Sequence, residues 1–299
     1  MFRRDDAWMT MAAARRNSPD QDTSRQRLLA LFALLVLAAS ALLMPDSAGA
    51  CGPDSDCMIG ERTYRIRLPD NIDGKARVGA VFYAHGHRGS AAGAMQNAAL
   101  GRAVSDLGLA LVALKSSGEG WTLPGSPSSH RGPITDEIAY VAQVLEDAAA
   151  RFPIDRKRTM AAGFSAGGML VWNLLCEKSD LFAAYLPLSG TFWRPVPEQC
   201  PAPVTNILHI HGDADKVVPL TGREIGPTRQ GDVHEVLEMY ATRGGFGPAT
   251  AMELEGLKCE HRRNPAGRML DFCLFEGGHG YKADYIRLAW QRFAAAGLF

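Results

Sequence analysis

The sequence predicts an α/β fold: a mostly parallel central sheet with helices packed on both faces. Three observations carry this reading. Apolar runs of strand length alternate along the chain with segments of helical period, the order that produces parallel pairing through crossover helices. The runs are nearly continuous rather than alternating, as in strands covered on both faces. No internal repeat, linker or low-complexity tract interrupts residues 51–299.

In chain order, a first strand begins near Thr63. Val78–Ala84 reads as a strand ending at His85-Gly86, and Leu109–Leu114 as the next. Thr135–Arg151 is helical, because Ile138, Val141, Ala142, Leu145 and Ala149 recur at three-and-four spacing along one face. Thr159–Gly163 is a strand, Met169–Leu175 opens a helix, and Tyr185–Leu188, Ile207–Ile210 and Met269–Phe275 are further strands. A helix from Lys282 to Ala296 closes the chain.

Of 299 residues, 46% are hydrophobic and 21% charged, the composition of an ordinary globular protein. Lys and Arg number 32 and so do Asp and Glu, so the formal net charge is zero. No whole-molecule field favours nucleic acid or an anionic membrane. A small, uncharged or mixed partner is expected instead.

Arg15, Arg16, Arg25 and Arg27 precede an uncharged apolar run from Leu28 to Met44, and Ala48-Gly49-Ala50 has the small-x-small pattern of a cleavage site. Residues 1–50 are expected to be a signal peptide cut after Ala50, leaving one domain over 51–299. The destination is then secreted or periplasmic, with no stable membrane association after cleavage. An uncleaved anchor is the rival, although the run lies at the short edge of what spans a bilayer. All six cysteines, Cys51, Cys57, Cys176, Cys200, Cys259 and Cys273, follow the expected cut, which suits an oxidising compartment and three disulfides. Six cysteines allow fifteen pairings, of which the local one joins neighbours in sequence. A lipid-modified Cys51 would leave one of the other five unpaired.

Gly163-Phe164-Ser165-Ala166-Gly167 fits G-x-S-x-G between an expected strand and an expected helix. On that turn the serine is exposed at the sheet's edge, and glycines two before and two after it avoid a steric clash. A serine hydroxyl is a poor nucleophile until a base takes its proton, and a carboxylate must hold that base in the right tautomer. His279, in the glycine-flanked loop after the last strand, is the best base; His209, His211, His234 and His261 read as structural. For the acid, the loop His211–Pro219 offers Asp213 and Asp215. Asp213 comes straight off the strand as a turn former, and Asp215 is the better partner for His279. The oxyanion of a tetrahedral intermediate needs amide donors: Ala166 should supply one, and His87 or Arg88, after the Val78 strand, the other. Neither H-E-x-x-H nor a phosphate loop occurs, so no cofactor or metal is expected.

Taken together these residues resemble the polyhydroxybutyrate depolymerase and feruloyl esterase family of exported α/β-hydrolases. The likeness runs over most of 57–299, through Thr63–Pro69, Ile154–Arg158 leading into Gly163–Gly168, Leu181–Ala184, His211–Pro219 and Gly277–His279. It implies the α/β-hydrolase fold and a triad on Ser165, Asp215 and His279, agreeing with the independent reading. The chain departs from the family pattern at Gly280-Tyr281 and at His87-Arg88-Gly89. The expected activity is hydrolysis of carboxylic esters through an acyl-serine intermediate, on small-molecule or oligomeric esters: hydroxyalkanoate oligomers, feruloyl-type or short-chain acyl esters. Insoluble polymer is expected to be a poor substrate, since no tethered binding module is evident; Trp121, Phe192 and Trp193 are either exposed binding aromatics or pocket and core residues. A prolyl-oligopeptidase-like peptidase and a catalytically dead hydrolase-fold binding protein are the alternatives.

Overall fold

A computed structural model describes residues 51–70, 72, 76–127 and 136–299. The expected signal peptide lies outside the described residues. Residues Cys51–Phe299 form one compact unit.

Ten strands make one sheet. They are β1 (Cys57–Ile59), β2 (Arg62–Arg67), β3 (Val78–Ala84), β4 (Ala110–Leu114), β5 (Ile154–Phe164), β6 (Ala184–Leu188), β7 (Asn206–Gly212), β10 (Thr250–Leu254), β11 (Leu257–Arg263) and β12 (Met269–Phe275), in the order β1-β2-β4-β3-β5-β6-β7-β12-β11-β10. The six central strands from β4 to β12 pair in parallel, as predicted. Both edges are antiparallel. A two-stranded hairpin, β8 (Glu224–Ile225) and β9 (Thr228–Arg229), stands apart.

Side chains alternate along the central strands into two cores, one on each face. Phe82, Val112, Tyr185 and Ile207 pack with α3 (Glu137–Arg151), α4 (Ala166–Glu177) and α5 (Val233–Gly244). Val81, Leu111, Leu186 and Ile210 pack with α1 (Ala91–Gln96), α2 (Ala98–Ser105) and α6 (Asp284–Ala295). The sequence had α3 in the right place; Thr135 lies outside the described residues, and the Asp136 side chain caps the helix by accepting from Ala139 N at 2.8 Å. It missed α1, α2, α5, β1, β10, β11 and the hairpin.

The expected strand at Thr159–Gly163 is longer, running from Ile154, and the expected helix at Met169 starts three residues earlier, at Ala166. Both extensions meet at Ser165, leaving no loop between strand and helix. The six cysteines pair as neighbours: Cys51 with Cys57, Cys176 with Cys200, and Cys259 with Cys273.

Candidate active site

Ser165 is the single residue between β5 and α4, held at φ 57°, ψ −118°, a conformation costly for a residue with a Cβ. The surroundings over-determine it. Its N–H donates to Leu188 O at 2.9 Å, and α4 crosses so close to β3 that a Cβ on Gly167 would lie 2.0 Å from the Ala84 carbonyl oxygen. Ala166 is the first residue of α4, so its N–H has no intrahelical acceptor.

The loop after β7 and the loop after β12 are bound to one another. Asp213 N donates to Phe275 O at 3.0 Å, Ala214 N donates to Gly277 O at 2.9 Å, and the Asp213 carboxylate accepts from Gly277 N at 3.0 Å. Gly212 permits the approach, since a Cβ there would fall 2.3 Å from Gly278 O. The buried Asp215 carboxylate then divides its oxygens. Oδ1 accepts from Val217 N at 2.8 Å and Val218 N at 2.9 Å, while Oδ2 accepts from His279 Nδ1 at 2.7 Å. With Nδ1 protonated, Nε2 of His279 is left as the basic nitrogen. The His279 ring packs on Phe164, the residue before Ser165, with centroids 4.7 Å apart.

The loop after β3 is tied down by His85. Ser116 N donates to His85 Nε2 at 3.2 Å, so its Nδ1 carries the proton and donates to Gly86 O at 2.8 Å. Burial lowers the His85 pKa and keeps the ring neutral. Trp121 Nε1 donates to His85 O at 2.9 Å. Of the two amides expected here for an oxyanion, that of Arg88 is committed, donating to Glu119 O at 2.6 Å from a residue at φ 60°; the His87 amide is the remaining choice.

A cavity of about 590 Å³ opens beside Ser165, walled by Trp121, Met169, Trp193, Val218, Ile225 and Gln230. This falls in the range of small-molecule sites. Trp121 and Trp193 are thus pocket walls rather than exposed binding aromatics, and Phe192 is core, packed on Trp172 at 5.8 Å between centroids.

A family model described as phospholipase/carboxylesterase matches residues 126–227, the stretch that holds Ser165 and Asp215. A probable feruloyl esterase C of Aspergillus niger is 23% identical over 290 residues, covering 90% of this chain and 99% of that protein. The chain is thus similar to feruloyl esterases and carries the α/β-hydrolase fold. The chain is an ester hydrolase of the serine hydrolase type. The putative esterase NocK of Nocardia uniformis subsp. tsuyamanensis is 30% identical over 143 residues, covering 48% of this chain and under half of that relative, 42%. The solved acetyl xylan esterase from Aspergillus awamori shares the fold, with a TM-score of 0.59 at 14% identity over 84% of this chain and 97% of that one.

Three residues of this esterase that support the site had no local sequence signal. Glu137, buried at the start of α3, pairs with Arg62 at 2.8 Å and accepts from Thr122 N at 3.1 Å, anchoring the cavity wall. Ser189, at φ 47°, donates to Gly280 O at 3.3 Å. Tyr281 shares a 2.7 Å hydroxyl contact with Tyr83 and lies 4.9 Å from the Phe164 ring, so the loop carrying His279 is fixed on both sides.

Proposed function

We propose that this esterase is a secreted enzyme that hydrolyses hydroxycinnamoyl-type or short-chain carboxylic esters through an acyl-serine intermediate. The observation that carries the reading is the hydrogen bond from His279 Nδ1 to Asp215 Oδ2 at 2.7 Å, made on the loops that flank the strained turn of Ser165. Ser165 Oγ attacks the ester carbonyl as His279 Nε2 takes its proton, and the imidazolium is stabilised by Asp215. The amides of Ala166 and His87 receive the oxyanion. His279 then gives the proton to the leaving alcohol, and water attacks the acyl-serine by the same steps in reverse.

The two tryptophan walls favour a flat aromatic acyl group, because stacked aromatic pairs add about 0.5–1.5 kcal/mol beyond the area they bury. Export follows from the expected signal segment and is supported by three disulfides. The test combines turnover of methyl ferulate, p-nitrophenyl acetate and hydroxybutyrate oligomers with fluorophosphonate labelling. Labelling at Ser165 with hydrolysis of at least one ester is expected; a protein that neither labels nor turns over any of them refutes the reading.

A further inference from the structure

Two histidines lie where burial alone would put leucine. His209 and His211 sit on one face of β7, both fully buried, with His209 packed 5.6 Å from the Trp172 ring and 5.5 Å from Phe272. A buried polar group is costly unless it is hydrogen-bonded, and these two are bonded in series. Trp172 Nε1 meets His209 Nδ1 at 3.2 Å, His209 Nε2 meets His211 Nδ1 at 2.9 Å, and His211 Nε2 meets the Val218 carbonyl oxygen at 2.8 Å. His211 Nε2 is also 3.5 Å from Asp215 Oδ2.

The direction of this series is fixed from one end. An indole N–H donates and never accepts, so His209 Nδ1 is the acceptor and its proton is on Nε2. That proton obliges His211 Nδ1 to accept, which puts the His211 proton on Nε2, facing Val218 O and Asp215. The opposite polarity would set two N–H groups against each other at Trp172. Adding a second proton to His211 would do the same between the rings, because its Nδ1 already faces a donor.

We propose that His211 is a positioning residue: a neutral imidazole, locked as the Nε2–H form through Trp172 and His209, that holds the Val218 peptide under Asp215 and leaves that carboxylate's charge to His279. Val218 is the joint, since its C=O accepts from His211 while its N–H donates to Asp215 Oδ1. An imidazolium at His211 would draw on the carboxylate that must stabilise protonated His279. Burial opposes that charge, lowering both histidines' pKa values. The ionisable groups facing the two rings are Asp215, His234 on α5 and His279. The role assumes the triad proposed above.

Two readouts test it on the full chain. Nitrogen-15 histidine NMR, with signals assigned through His209→Gln and His211→Asn, should find both rings as neutral Nε2–H tautomers that do not titrate between about pH 5 and 8. Titration of either ring in that interval, or an Nδ1–H form, overturns the lock. This result does not depend on Ser165 being the nucleophile, which the fluorophosphonate label reports separately. In the pH profile of kcat/KM, wild type should lose activity in acid with the uptake of one proton. Trp172→Phe, and His209→Leu as a second route, should approach two protons and fall about tenfold below wild type at about pH 5, beyond any loss at neutral pH. His209→Gln, whose amide can both accept from Trp172 and donate to His211, should restore the one-proton limb. Variants that fold and lose only thermal stability, with the limb unchanged, would show the chain to be structural and refute the proposal.

Discussion

Asp215 Oδ2 and His279 Nδ1 are 2.7 Å apart, whereas Asp213, two residues earlier in the same loop, gives its carboxylate to the Gly277 amide at 3.0 Å. The two aspartates therefore predict different losses. Asp215→Asn should lower kcat by about four orders of magnitude, because the imidazole loses the partner that fixes its tautomer. Asp213→Asn should cost about 1 kcal/mol of stability and less than tenfold in kcat, since it weakens one loop contact. Steady-state kinetics with thermal melts would separate them, and a reversed ranking would move the acid to Asp213.

Ser165→Ala and His279→Ala should each remove several orders of magnitude from kcat, and the double variant should lose little more, because members of a triad act as a unit. Losses that multiply in the double variant would show that one residue acts elsewhere.

Histidines buried as neutral rings make stability depend on pH. His85, His209 and His211 all have pKa values lowered by burial. Their unfolded counterparts take up protons below about pH 6.5, whereas the folded protein resists until each depressed pKa is reached. Stability is therefore retained above about pH 6.5 and lost as the pH falls from there toward each depressed pKa, at up to about 1.4 kcal/mol per pH unit for each such histidine. Urea denaturation at about pH 7.5 and 5 should give a clearly lower midpoint in acid; equal midpoints would contradict the burial of these rings.

The parts of the fold and site that the sequence revealed are those set by local patterns. The six parallel strands are continuous apolar runs, and the turn at Ser165 is marked by glycines whose absence of a Cβ is required where α4 crosses β3. A residue farther round the loop has more freedom to reach a partner, which is the sequence's reason for choosing Asp215 over Asp213; in the structure Asp215 contacts His279 and Asp213 contacts the Gly277 amide. What local pattern missed depends on contacts distant in sequence. Arg88 reads from the sequence as an amide donor, but its N–H donates to Glu119 O on another loop. His211 read as structural, and nothing in its neighbours reports that the loop folds Asp215 back to 3.5 Å from its ring. β10 and β11 carry mixed charged and apolar residues at an exposed sheet edge, without the continuous run that identified the central strands.

Thiol titration of the denatured, unreduced protein should find no free cysteine, in keeping with the three pairs. Replacing both Cys176 and Cys200 with serine should cost about 3 kcal/mol, the scale expected for opening a loop of this length in the unfolded chain. This pair ties the far end of α4 to the segment entering β7, so a loss under about 1 kcal/mol would mean that α4 is held by its apolar face alone.

The two tryptophans of the cavity should separate binding from turnover. Trp193 is only partly buried and lines the cavity without a side-chain bond to the catalytic loops. Trp193→Ala should therefore raise KM for methyl ferulate about tenfold, the equivalent of 1.4 kcal/mol of lost aromatic contact, and leave p-nitrophenyl acetate nearly unchanged. Trp121 is buried and its indole N–H donates to His85 O at 2.9 Å, two residues before the His87 amide proposed for the oxyanion. Trp121→Ala should lower kcat on both esters, because a loosened loop misaims that amide in the transition state, where removal of one donor costs about a hundredfold or more. Trp121→Phe keeps much of the aromatic wall but not the hydrogen bond, and should retain the ferulate KM while losing kcat. If Trp193→Ala reduced kcat on both esters instead, or Trp121→Phe kept full turnover, the division between an acyl wall and a loop anchor would fail.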